Sequence, residues 1–197
     1  MFYRIMRFIV YPFIRIFMRV EYHGKENVPK NKGYILAANH TSIADMFAIA
    51  VPVKAQICYM AKAELFKFKP VVWLFKALGT FAVKRGKGDT EAIDKACSII
   101  ENGKVLGIFP EGTRSKTGEP GKAKAGVALI AMQTKADILP ISVRYSKGTF
   151  KLFSKVTVRV GELIPFEEPA EEEGQRAAIR RISTSVMDKI KELWETE

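Results

Sequence analysis

The segment GYILAANHTSIAD, residues 33–45, decides the fold. Tyr34-Ile-Leu-Ala-Ala38 is a compact apolar run that ends on the turn-prone pair Asn39-His40, with a helix start expected near Thr41. A short apolar run bounded by turn residues reads as a buried strand, and strands buried on both faces belong to sheets covered by helices on either side. The same alternation continues outward along the chain. QICYMA (56–61), TFAV (80–83), VLGIF (105–109), ILPISV (138–143) and KVTVRV (155–160) read as further strands. AELFK (63–67), the stretch 71–78, DTEAIDKACSIIENG (89–103), GVALIAMQT (126–134) and 175–194 read as helices. The predicted fold class is α/β, with a mostly parallel central sheet flanked by helices.

At 197 residues and 48% hydrophobic content, the chain has enough apolar material for one sizeable core. The expected division is a segment 1–20 followed by a single α/β domain over 21–197. Thirty-two Lys and Arg against 21 Asp and Glu give a formal charge of +11, which calls for an anionic partner. Nucleic acid, an acidic membrane surface and phosphorylated substrates all satisfy that charge. Cys58 and Cys97 lie inside apolar patterns with no metal-ligand spacing around them, so buried free thiols and no metal site are expected.

Residues 1–20, MFYRIMRFIVYPFIRIFMRV, are large and apolar but interrupted by Arg4, Arg7, Arg15 and Arg19. A membrane-spanning helix needs roughly 20 predominantly apolar residues, and a central Arg costs about 2.5–3.5 kcal/mol on insertion scales. On a helix the four arginines fall within an arc of about 120°, which leaves Phe, Ile, Met and Tyr on the rest of the surface. That is the pattern of an amphipathic helix lying in the interface of an anionic membrane, with a core-packed first helix carrying a solvated basic stripe as the alternative.

Four segments follow apolar strands, where α/β sheets gather their functional groups. In NHTSIAD, His40 comes directly after a strand with Asp45 five residues on. Such a carboxylate can hold an imidazole in one tautomer while the other ring nitrogen takes a proton. Ser42 to Asp45 also matches a capping box, in which Asp45 satisfies a backbone donor. In FPEGTRS (109–115), Pro110 and Gly112 shape a tight turn, Glu111 can orient a neighbouring donor, and Arg114 offers a planar fork suited to phosphate. GTFAVKR ends on Arg85, and MAKAELF carries Lys62. Each basic residue is an anion ligand or a solvated surface charge. His23, the other histidine, has no carboxylate in an evident orienting position and reads as an exposed turn residue.

Taken in order, these segments resemble the blocks of the glycerol-phosphate and lysophosphatidic acid acyltransferase family. NHTSIAD is similar to its NHxxxxD block, GTFAVKR to its glycine-to-arginine block, FPEGTRS to its most distinctive block, and ILPISV to its proline-containing apolar block. The resemblance spans residues 39–143. It implies His40 as general base, Asp45 as its orienting partner, and Lys62, Arg85 and Arg114 as phosphate ligands, with Glu111 and Gly112 shaping the site. The implied reaction transfers a fatty acyl group from a thioester, acyl-CoA or acyl carrier protein, to the sn-2 hydroxyl of lysophosphatidic acid. It needs no cofactor and no metal, and would take place at the cytoplasmic face of the membrane. Glycerol 3-phosphate or another lysophospholipid is an alternative acceptor. A nucleic-acid-binding module is disfavoured because the basic residues fall among these blocks instead of forming a stripe with interleaved aromatics. A non-catalytic membrane-binding protein would need only the amphipathic start.

Overall fold

The computed structural model of the chain describes residues 8, 11, 12, 14, 16–30, 32–67, 72, 73, 75, 78–83 and 90–196. Seven strands form one sheet: β1 (Arg19–His23), β2 (Tyr34–Ala38), β3 (Ile57–Lys62), β4 (Phe81–Val83), β5 (Val105–Ile108), β6 (Ile138–Tyr145) and β7 (Lys155–Val160). The helices are α1 (Ala44–Ala50), α2 (Thr90–Glu101), α3 (Gly126–Thr134) and α4 (Gln175–Glu195), and the described residues among 8–17 are also helical. The strand order is β1-β7-β6-β2-β5-β3-β4. Strands β6, β2, β5, β3 and β4 run parallel, while β7 is antiparallel to β6 and β1 is parallel to β7. The mostly parallel sheet flanked by helices is therefore present, with a reversed pair added at one edge.

Alternation along β2 explains why both sheet faces are covered. Tyr34, Leu36 and Ala38 pack with Ala48 and Ile49 of α1 and with Ile14 and Met18. Ile35 and Ala37 face the other cluster, built from Cys97 and Ile100 of α2, Val127 and Ile130 of α3, and Val186 and Ile190 of α4. Side chains of period two on a central strand must feed two cores, and each fully buried Ile or Leu contributes about 1.5–3 kcal/mol of transfer free energy. Both cysteines are free thiols buried in this packing, and burial raises the pKa of each.

The connections leaving β2 and β5 set the place of the site. The chain leaves β2 through α1 toward β3 on one side, and leaves β5 through α3 toward β6 on the other. Crossovers that share one hand and run in opposite directions must lie on opposite faces, as α1 and α3 do, and this opens a crevice between the carboxyl ends of β2 and β5.

Two expectations from sequence are corrected. Strand β1 was not anticipated: Arg19, grouped with the amino-terminal helix, opens it, and exposed His23 closes it instead of sitting in a turn. Helix α1 starts at Ala44 rather than near Thr41, because the Thr41 and Ser42 N–H groups donate to the Asp45 carboxylate. Strand β7 returns antiparallel to β6 through the connection 146–154, which a mostly parallel sheet allows. Of the basic residues in the amino-terminal stripe, Arg4, Arg7 and Arg15 lie outside the described residues.

Candidate active site

Register brings the two main segments together. Ala37 of β2 stands opposite Ile108 of β5, and continuing the parallel register by three residues sets Glu111 beside His40. The contact is made: the His40 backbone N–H donates to Glu111 Oε1 at 2.9 Å. The Ser115 N–H donates to the His40 carbonyl at 2.7 Å, and the His40 ring stacks on Phe109 with centroids 3.9 Å apart and planes 15° from parallel. FPEGTRS thus grips His40 by both backbone polar groups and by one ring face. Asn39, fully buried, fixes the same strand end from the other side. Its side-chain amide donates to the Val143 carbonyl at 2.9 Å and its oxygen accepts the Val143 N–H at 2.7 Å.

The ring is oriented by Asp45. His40 Nδ1 lies 3.0 Å from Asp45 Oδ2, the Asp45 side chain is fully buried, and His40 keeps 13% of its side chain exposed. The same Oδ2 accepts the Thr41 and Ser42 N–H groups at 2.7 and 2.8 Å, while Oδ1 accepts the Tyr145 hydroxyl at 2.6 Å. A carboxylate so surrounded acts only as an acceptor, so Nδ1 carries the proton and Nε2 presents its lone pair to the crevice. The two readings of Asp45, backbone cap and imidazole partner, are both realised by one side chain. Burial, then the neighbouring Asp45 charge, push the Tyr145 hydroxyl far above the ordinary tyrosine range, so it stays a neutral donor.

Glu111 is itself nearly enclosed, and burial raises its pKa despite the N–H groups of His40 and Gly121 that donate to it. Gly112 follows at φ +66°, a conformation that favours glycine, and a Cβ there would approach the Lys124 side chain to 3.0 Å. The Gly112 N–H donates to the Phe109 carbonyl at 2.9 Å, so this donor is committed to the turn. Lys124 is drawn to this turn by its own N–H, which donates to the Pro110 carbonyl at 2.8 Å.

The basic residues stand further out. Arg114 is exposed beside Ser115, and no carboxylate among the described residues pairs with it. Lys62 ends β3, where its ammonium pairs with Glu64 at 3.2 Å and both side chains are at least half exposed. Because β5 separates β3 from β2, the end of β3 lies roughly 10 Å across the sheet from that of β2, at about 4.8 Å per strand. Arg85 lies outside the described residues; Val83, two positions earlier, is the register partner of Lys62.

Sequence reasoning missed Asn39 and Tyr145. An Asn directly after a fully apolar strand was the available signal for the first. Nothing local marked the second, which reaches Asp45 from 100 residues away.

Comparison with known proteins agrees with this arrangement. The family model described as Acyltransferase matches residues 19–144. A 1-acyl-sn-glycerol-3-phosphate acyltransferase of Bacillus subtilis is 33% identical over 137 residues, covering 69% of this chain and 68% of that protein. An enzyme of the same name from Saccharomyces cerevisiae is 36% identical over 149 residues, 72% of this chain but 46% of its own length. The crystal structure of the 1-acyl-sn-glycerophosphate (LPA) acyltransferase PlsC from Thermotoga maritima superposes with a TM-score of 0.69 at 26% identity, over 99% of this chain and 81% of that one. The match includes both the strand that delivers His40 and the turn that grips it, and the chain belongs to the acyltransferase family.

Proposed function

We propose that the chain transfers a fatty acyl group from an acyl thioester to the sn-2 hydroxyl of lysophosphatidic acid, giving phosphatidic acid. The observation that carries this reading is the His40–Asp45 pair held in the grip of FPEGTRS, together with relatives named for that reaction.

The chemistry follows from the tautomer. Nε2 of His40 takes the proton of the acceptor hydroxyl as its oxygen attacks the thioester carbonyl carbon, forming the new C–O bond. Asp45 stabilises the resulting imidazolium through Nδ1, and the carbonyl oxygen becomes an oxyanion held by a donor other than the committed Gly112 N–H. Collapse breaks the C–S bond, and the departing thiolate receives the proton from Nε2, which restores the neutral base. Arg114, Lys62 and, as the family resemblance implies, Arg85 hold the acceptor phosphate, Arg114 through its planar fork.

The donor is acyl-CoA or acyl carrier protein, and the reaction takes place at the cytoplasmic face of an anionic membrane, with the face of the amino-terminal helix that carries Phe8 and Ile16 lying in the interface while Ile14 and Met18 pack into the core. Supporting this are the net charge of +11 and the exposed Phe8 and Ile16, while no helix among the described residues is long and apolar enough to cross a membrane.

The test supplies purified protein with lysophosphatidic acid and an acyl thioester and follows phosphatidic acid. His40→Ala is expected to lower the rate about 10³-fold. Equal rates would remove His40 from the mechanism, and activity with glycerol 3-phosphate alone would reassign the acceptor.

A further inference from the structure

We infer that the connection 146–154 between β6 and β7 is a second membrane-contacting element, built to seat the active-site edge on an anionic bilayer. This rests on the membrane reading above.

The loop is rooted in the catalytic centre. It springs from Tyr145, whose hydroxyl holds Asp45, and closes where the Ser146 N–H donates to the Lys155 carbonyl at 3.0 Å. Phe150 turns inward and meets the Tyr145 ring edge-on at 6.2 Å. The next two apolar residues do the reverse: Leu152 is 54% exposed and Phe153 57% exposed. Phe153 also adopts φ +62°, which a bulky side chain seldom takes, and its N–H donates to the Phe17 carbonyl at 2.9 Å. Held backbone and exposed ring together are what a fixed hydrophobic wedge requires.

Charge selects the occupant. Lys147 and Lys151 flank the wedge and pair with no carboxylate among the described residues, while Lys155 at its base is held by Glu21 at 2.9 Å. An apolar tip set among unopposed cations complements an anionic headgroup layer over acyl chains, and suits no apolar protein partner as well. A second apolar outcrop rises on the same carboxylate: Ile43, 59% exposed, lies two residues before Asp45, and half-exposed Phe47 follows it one turn along α1. The loop after FPEGTRS leans on the base of the wedge, since a Cβ at Gly118 would fall 2.2 Å from the Gly148 carbonyl oxygen. Bilayer contact at Leu152 and Phe153 therefore places lipid-borne acceptor at the mouth of the crevice, beside the turn that carries Arg114.

The experiment attaches an environment-sensitive fluorophore to Leu152→Cys in the full chain. Both native cysteines are buried, and Lys95→Cys on the far helical layer serves as the control. On vesicles of equimolar phosphatidylcholine and phosphatidylglycerol the label at 152 shifts to the blue and the label at 95 does not. Replacing Lys147 and Lys151 by Ala weakens binding to these vesicles about tenfold. Sedimentation with vesicles but no shift at 152 overturns the wedge and leaves the membrane reading standing. Failure of the full chain to sediment overturns both. Acylation of a short-chain, monodisperse acceptor at the wild-type rate by the Leu152→Cys protein shows in every case that the variant is folded.

Discussion

The carboxyl ends of β2 and β5 and those of β3 and β4 share one edge of one sheet, yet they are built on opposite principles. At the first, every polar group around His40 is spoken for inside the chain: Glu111, Ser115, Thr41, Ser42 and Tyr145 all hold hydrogen bonds, and Asp45 is sealed from solvent. At the second, Lys62 is half exposed and tied only to the exposed Glu64 side chain, and Arg114, at the outer end of the turn after β5, is exposed in the same way. The difference fits the roles proposed for each group. A general base works from one tautomer and one position, so its surroundings are fixed before substrate arrives. A phosphate ligand must exchange water for substrate, so a strong internal partner would compete with the ligand it serves.

The largest effect that separates the two regions is expected at Asp45. Asp45→Asn keeps the shape but removes the charge that stabilises the imidazolium, and kcat should fall about 10²- to 10⁴-fold. Asp45→Ala should lose as much activity and also melt roughly 5–10 °C lower, because the buried donors of Thr41, Ser42 and Tyr145 lose their acceptor at about 1–3 kcal/mol each, partly relieved by relaxation. A melt of Asp45→Ala that matches wild type would show that the carboxylate is not the structural hub.

Arg114→Ala should behave in the opposite way. Loss of a charge-assisted bond to phosphate lowers kcat/KM for lysophosphatidic acid about 10- to 100-fold. Its melting temperature should stay within about 1 °C of wild type, since exposed substitutions seldom exceed about 0.5 kcal/mol. Lys62→Ala should give a smaller loss of the same kind, as its ammonium already shares Glu64. A fall in stability without a fall in kcat/KM would make Arg114 a structural residue and erase the contrast.

What the sequence could disclose divides along the same line. The apolar strands, the helix Gly126–Thr134 and the motifs at strand ends are local patterns, and local periodicity is what a sequence displays directly. Strand β1 escaped because RVEYH is a short, half-buried edge strand whose alternation of exposed and partly covered residues is fused to the large apolar residues before it. The choice at Asp45 between capping the backbone and holding the imidazole stayed open for a physical reason. Five residues of spacing allow both, and only the three-dimensional placement of Tyr145 and His40 around one carboxylate shows that they coexist. The antiparallel return of β7 depends on the length and packing of the loop 146–154, which no strand pattern encodes.

Tyr145 offers the finest probe, because Tyr145→Phe removes one oxygen and leaves the ring against Phe150. The hydroxyl touches Asp45 and not the imidazole, so it is a positioning group, and its loss should reduce kcat about 3- to 10-fold with KM for the acceptor unchanged. The pH dependence of stability gives an independent reading. The folded-state pKa of Tyr145 lies above that of an unfolded tyrosine, about 10, through burial first and the Asp45 charge second. The unfolded chain therefore releases a proton above pH 10 that the folded chain retains, and stability supplied by this group, present below pH 10, is lost as pH rises beyond it. In urea titrations wild type should exceed Tyr145→Phe by about 1–2 kcal/mol at pH 8, and the gap should narrow toward pH 11. A gap that stays constant across this range would mean that the hydroxyl does not hold its proton against Asp45, and the tight shell around the catalytic carboxylate would lose its outermost member.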